Sequence, residues 1–162
     1  MAEHLIAIHS SLDLATASRI TDQALRLRRE NGLLPLTIAV LDSGGNLVSF
    51  RGEAGCGVMR HDIATGKAWA ALGMGMATRQ IRDRPADRPN FQSALAAVSQ
   101  GRFIPTPGGV LIPNAQQQAI GAVGISGDAS DKDEFCAIRA IQGAGLLAEP
   151  PEPLPDRNQS GL

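Results

Sequence analysis

Residues 101–127 read GRFIPTPGGVLIPNAQQQAIGAVGISG, and the order of strand-like and turn-like pieces in this stretch decides the fold. It reads as a strand, a proline-glycine corner at 105–109, a second strand, a polar turn at 114–118 and a last, glycine-rich strand. Pro105, Pro107, Gly108 and Gly109 fall within five residues. Such a mixture of fixed and permissive φ angles predicts a backbone held in one unusual shape. The two glycines leave their amide N–H groups unshielded by a Cβ, so a carboxylate or the edge of a flat cofactor could approach the main chain, as anions do in backbone nests. The same spacing also serves a tight turn between two strands.

Upstream, residues 36–41 (LTIAVL) form an apolar, β-branched run, followed by the turn residues Asp42-Ser43-Gly44-Gly45-Asn46 and then by residues 47–51 (LVSFR). Two strands around a Gly-Gly turn predict a hairpin. The first strand is apolar on both faces, hence central, and the second alternates, hence is covered on one side only. Between the two β regions lies MRHDIATGKAWAALGMGM, residues 59–76. Its Ala64, Ala68, Ala71 and Gly75 recur at helical spacing and predict a helix with a flat face able to lie close on a sheet. Residues 91–100 predict a short second helix.

Toward the ends, Ser11 is placed to cap a helix carrying Ala17, Ile20, Ala24 and Leu27, which Asn31-Gly32 ends. A last helix opens with Asp131, Asp133 and Glu134 on the favourable side of its dipole and carries Phe135, Ile138 and Ile141. Residues 79–90, RQIRDRPADRPN, interrupt the apolar pattern with charges that nearly cancel and read as a solvated loop or a short helix and link. The order is therefore α-β-β-α-α-β-β-β-α. Tight β-β connections favour an α/β (α+β) fold with a largely antiparallel sheet and helices on its faces over a doubly wound parallel one. Residues 1–148 are expected to form a single domain, and the proline-rich residues 149–162 an extended or disordered tail.

With 162 residues the chain can bury a core without staples. Fifteen basic and sixteen acidic residues give a net charge of −1, which offers no field to recruit nucleic acid or an anionic membrane. One Trp and no Tyr weaken any base-stacking role. No run approaches the eighteen apolar residues of a membrane span, and Met1–His9 has no secretory pattern, so the expectation is a cytoplasmic protein. Cys56 and Cys136 lack metal-site spacing and are expected as reduced thiols.

Four segments taken in order, VLDSGGNLVSF, DIATGKAWAAL, GRFIPTPGGVLI and GAVGISGDASDKDEFCA, resemble the GlcG/HbpS family of haem-binding or haem-degrading-like domains, which also occurs as the C-terminal domain of PduO-type proteins. The resemblance covers about residues 12–147. It implies a profilin-like α/β/α sandwich with a five-stranded, mainly antiparallel sheet, a homo-oligomer, and haem or another small molecule as ligand. The matching positions are Asp42, Gly44 and Gly45, Lys67, Pro107, Gly108 and Gly109, and Gly121, Gly124, Ser126 and Gly127. The turn at 114–118 and the charged loop at 79–90 depart from the family's pattern, and none of the four motifs carries an axial ligand.

A haem needs iron ligands, apolar walls, and cations or N–H groups for its propionates. His61 is the candidate nitrogen ligand, with Cys56 and Met59 as sulfur alternatives. Arg51, Lys67, Thr106, Pro107, Gly108 and Gly109 are the candidate ligand-binding residues. The rival expectation is an enzyme acting on a small carboxylate or hydroxy acid, with Lys67, Arg51 and the Gly108-Gly109 amides holding the acid and His61 or Glu53 moving a proton. Against it stands the absence of a nucleophile-base set or metal motif at recognisable spacing. A third expectation is an accessory subunit of a catabolic system whose proline-glycine corner serves oligomer contacts.

Overall fold

The computed structural model describes residues 4–84 and 88–161. Four strands, β1 (Thr37–Asp42), β2 (Leu47–Gly52), β3 (Gly109–Pro113) and β4 (Ala119–Ser126), form an antiparallel sheet in the order β2-β1-β4-β3. Five helices lie among the described residues: α1 (Leu14–Glu30), α2 (Arg60–Met74), α3 (Thr78–Asp83), α4 (Pro89–Val98) and α5 (Ser130–Gly143). The α+β class and the antiparallel sheet are as expected. The strand count differs, because the first of the three strands read in residues 101–127 is absent. Residues 102–108 run as irregular chain over α2. Pro105 and Pro107 have no N–H for a ladder, and the side chains there pack instead: Phe103 is 8% exposed and joins Ala70 and Ile81.

Side-chain alternation divides the sheet's two faces. Ile38, Val40, Val110, Ile112, Val123 and Ile125 point to one side, where Ala17, Ile20 and Ala24 of α1 and Cys136, Ala137, Ile138 and Ile141 of α5 cover them. Leu41, Leu111 and Ala122 point to the other, against Ala68 and Ala71 of α2. The small-residue stripe of α2 does what its spacing predicts. A Cβ added to Gly124 of β4 would run into the carbonyl of Ala64 and come 2.8 Å from the amide of Ala68, so backbone meets backbone at that crossing. Gly75 has a different task. At φ +63° it is the left-handed residue that ends α2, its N–H returning to the Ala71 and Leu72 carbonyls.

Both hairpins close as their turn residues dictate. Asp42 accepts the N–H groups of Gly44 and Asn46 while Gly45 adopts φ +79°, and Asn114 accepts those of Gln116 and Gln118. The cap of α1 is Asp13, whose Oδ1 accepts from Thr16 N–H at 2.7 Å. Ser11, expected there, donates instead to the Ile120 carbonyl at 2.8 Å. Cys56 and Cys136 are free thiols. In the charged stretch at 79–90, the first part forms α3, and residues 85–87 lie outside the described residues. The chain beyond α5 folds back on the domain through turns and a short 3-10 helix at Arg157–Gln159: Glu149 bridges Leu111 of β3, Gln142 donates to the Pro151 carbonyl, and the Arg157 guanidinium sits over the Phe135 ring. Among the described residues no helix is long and apolar enough to cross a membrane.

Candidate functional site

The sequence-derived candidates fall into two places. Gly108 and Gly109 fold onto the middle of α2 beside Lys67. The meeting leaves no cleft. Gly108 holds φ +119°, and a Cβ there would lie 2.8 Å from the Ile125 carbonyl and 2.9 Å from Lys67 Nζ. At Gly109 a Cβ would collide with the Lys67 carbonyl and the Thr78 methyl. The Gly109 N–H, expected to be a bare donor, donates to Thr78 Oγ1 at 2.8 Å. Thr78 opens α3, and only the fold brings it against β3. Thr106 is exposed at the rim of this corner.

Lys67 is 2% exposed and spends its ammonium inward, donating to the Ile125 carbonyl at 2.9 Å and to Asp133 Oδ2 at 3.1 Å. Asp133, also buried, accepts the Asp128 N–H on its other oxygen at 3.0 Å. Burial pushes the Lys67 pKa down and that of Asp133 up, and their mutual attraction opposes both shifts. This pair locks α2 to α5 beside the C-terminal end of the interior strand β4, so Lys67 is a structural cation rather than a receiver of ligand carboxylates. Behind it, Glu134 is 1% exposed; both its carboxyl oxygens lack a hydrogen-bond partner, the closest cation being Arg79 Nε at 3.3 Å from Oε1. Burial lifts its pKa to about 7 against the attraction of Arg79.

The second place is the start of α2. Val58 is 89% exposed and Met59 68%, and with Gly57, Arg60 and Ile63 they line an open hollow of about 500 Å³. His61 stands beside them, its Nε2 3.0 Å from Asp62 Oδ1 and its Nδ1 3.3 Å from the Val58 carbonyl. The half-exposed Phe50 ring of β2 meets the imidazole edge-on at 6.2 Å. Cys56 is half-buried just before this shelf. Val58 and Met59 thus make a contiguous exposed apolar surface next to a potential metal ligand.

The remaining candidates are scattered. Arg51 projects to the opposite face of the sheet, where Nη2 lies 3.6 Å from Asp22 of α1. Glu53 is occupied in holding the chain, accepting the Leu36 N–H at 2.8 Å with Arg28 Nε at 3.4 Å. Thus His61, Cys56 and Met59 share one region, Lys67 and the 107–109 corner share another, and Arg51 and Glu53 belong to neither. The proton-transfer set of Lys67, Arg51, the glycine amides and His61 or Glu53 is not brought together.

Comparison with known proteins places the architecture in company. A family model described as haem degrading protein, HbpS-like, matches residues 12–142. The chain is 28% identical over 133 residues to an uncharacterised 15.0 kDa protein in the dhaT-dhaS intergenic region of Citrobacter freundii, covering 82% of this chain and 91% of that one. Among solved structures, a PduOC:haem complex superposes with a TM-score of 0.75 at 22% identity, over 83% of this chain and 96% of that one. The Klebsiella pneumoniae protein ORFY gives 0.75 at 24%, over 90% and 97%. A double mutant of Streptomyces reticuli HbpS gives 0.67 at 24%, over 90% and 92%. At these identities the solved structures establish likeness of fold.

Proposed function

The chain belongs to the HbpS-like family, and from that premise we propose that it is a small-ligand-binding protein that receives haem or a related tetrapyrrole on the shelf at the start of α2. The observation that carries this reading is the exposure of Val58 and Met59, at 89% and 68%, directly beside His61. Apolar walls and a nitrogen ligand are the two things a porphyrin requires first. Both contacts of the His61 ring are to groups at the surface, with the imidazole 59% and Asp62 80% exposed. Turning the ring toward an iron therefore breaks only screened interactions. The haem complex among the structural neighbours supports the ligand class.

Bound haem would supply a redox-active iron. The chain's own part is to ligate it through His61, with Met59 or Cys56 as the sulfur alternative, to cover one porphyrin face with Val58 and Met59, and to exclude water from that face. An open hollow covers one face only, so a second copy of the chain is the natural second wall, in keeping with the homo-oligomer that the family resemblance implies.

The test is a haemin titration of the purified protein followed in the Soret region. A saturable band shift is expected, and His61→Ala should move the band or weaken binding at least tenfold. Absence of any shift, or the same band and affinity in a variant combining His61→Ala, Met59→Ala and Cys56→Ala, overturns the proposal.

A further inference from the structure

Eight helical positions beyond His61, a second arrangement is built around the chain's single tryptophan. His61, Thr65 and Trp69 succeed one another at i, i+4 and i+8, a stripe about 12 Å long on the outer side of α2. At its far end Arg102 sits over the Trp69 ring, Cζ 4.3 Å from the centroid, with Nε donating to the Ser99 carbonyl at 3.1 Å. Among the described residues neither Nη group donates a hydrogen bond, and none of the ion pairs includes Arg102. An arginine fixed at its Nε and by its face, with the two Nη groups unspent, is a pre-positioned fork.

The backbone around it is arranged to the same end. Gln100 and Gly101 adopt φ +55° and +80°, so a non-glycine residue is held in the left-handed region where the chain turns back from α4. Gly66 lets residues 102–104 lie directly on α2, since a Cβ there would come 2.5 Å from Ile104 Cγ1 and 2.7 Å from the Arg102 carbonyl. The result is a hollow of about 380 Å³ with Thr65, Gly66 and Trp69 on one side and Gln100 and Arg102 on the other, and with Asp62 at its rim. Arg102 covers one face of the indole and residues 102–104 cover Gly66, so Thr65 and the part of Trp69 that Arg102 leaves open form the floor. The negative Asp62 at one end and the unpaired Arg102 at the other orient an anion toward the arginine.

We propose that the Arg102–Trp69 hollow is a carboxylate-binding site, with Arg102 forking onto the carboxylate of a flat organic ligand that lies against Thr65 and Trp69. Two sources fit this chemistry: a free planar carboxylic acid, or a propionate of a tetrapyrrole reaching along the stripe from His61. The second source rests on the haem reading above.

Trp69 emission and its indole N–H resonance report the site directly. Benzoate is the probe for the free acid, with benzamide as its neutral counterpart. Haemin and haemin dimethyl ester, whose propionates are blocked, probe the second source. A saturable benzoate response absent with benzamide and weakened at least tenfold in Arg102→Gln assigns the free acid. Haemin binding at least tenfold tighter than its dimethyl ester, with the difference lost in Arg102→Gln, assigns the propionate. Arg102→Lys, which keeps the charge without the fork, should fall between and guards against a folding defect in the glutamine variant. If the wild type neither responds to benzoate nor discriminates the ester, or if Arg102→Gln behaves as wild type, the site is overturned. Equal, His61-dependent binding of haemin and its ester would overturn this site while leaving the haem reading standing.

Discussion

The two parts of α2 that carry the sequence's candidate residues have opposite characters. At its middle, Lys67 and the Gly108-Gly109 corner are buried, and the Lys67 ammonium and the Gly109 N–H, both expected to meet a ligand, already have partners within the chain. At its start, Val58 and Met59 stand in solvent and His61 is more than half exposed, touched among the described residues by the edge of Phe50 and by Asp62. A corner dense in glycine and proline looked like a binding feature because its main chain is approachable. What approaches it is α2 itself. Glycine at 109 and 124 is explained by helix-on-sheet contact without any ligand, whereas exposed valine and methionine have no such internal explanation.

The sharpest way to break this contrast is to add one methyl group on each side. Gly124→Ala places a Cβ against the Ala64 carbonyl, a backbone atom that cannot swing aside, and should cost more than about 4 kcal/mol, enough to lose the folded state. Gly57→Ala at the shelf meets nothing within 4 Å and should change stability by less than about 0.5 kcal/mol. Thermal or urea unfolding compares the two. Equal effects would mean that the sealed crossing is looser than its geometry states.

Next in size is the buried pair. Lys67→Met removes the cation but leaves Asp133 ionisable in a buried site, and should destabilise by about 3–5 kcal/mol. Adding Asp133→Asn to Lys67→Met removes the stranded charge and keeps an acceptor for the Asp128 N–H, so the double variant should recover a large part of the loss. If urea midpoints show simple additivity, the two groups do not act as a pair and the sealed region must be held by the glycine packing alone.

The sealed region also shows where sequence reading succeeds and where it stops. Periodicity and turn chemistry are local, so both hairpins, the small-residue face of α2 and the antiparallel sheet follow from residues that act on their neighbours. The extra strand at 101–104 fails for a non-local reason: an apolar run containing Phe103 and Ile104 reads as β, whereas Gly66 of α2 admits it as irregular chain. Partners are non-local too. The Asp131, Asp133 and Glu134 run reads as a helix start complementing the dipole, and only the fold sets Asp133 against Lys67, 66 positions earlier. Thr78 carries no sequence signal that would pair it with Gly109, nor Arg102 one that would set it on Trp69. The His61, Met59 and Cys56 candidates stay together because they are neighbours in the chain. Those that needed distant segments to converge, Arg51 and Glu53 with Lys67, do not.

The smallest effect probes how dry the sealed side is. Glu134 of α5 is faced by Arg79, Arg82 and Asp83 of α3 and by Asp131 of its own helix, and its pKa is raised from 4.5 to about 7, chiefly by burial, while Arg79 and Arg82 pull it down. An acid whose folded pKa lies above its unfolded value binds its proton more tightly when folded. Its stabilising contribution is therefore complete below about pH 4.5 and is lost as pH rises to about 7. Across that window Glu134 should make the wild type lose up to about 3 kcal/mol. Glu134→Gln is neutral at every pH and should flatten the slope, equalling the wild type near pH 4.5 and exceeding it by the largest margin above pH 7. Urea unfolding of both proteins at a series of pH values gives the difference curve. A flat curve would place water at the Glu134 carboxylate and shrink the contrast between the sealed side and the shelf. A curve of the opposite sign would mean that the Arg79 ion pair outweighs burial and that Glu134 stabilises the fold as an anion.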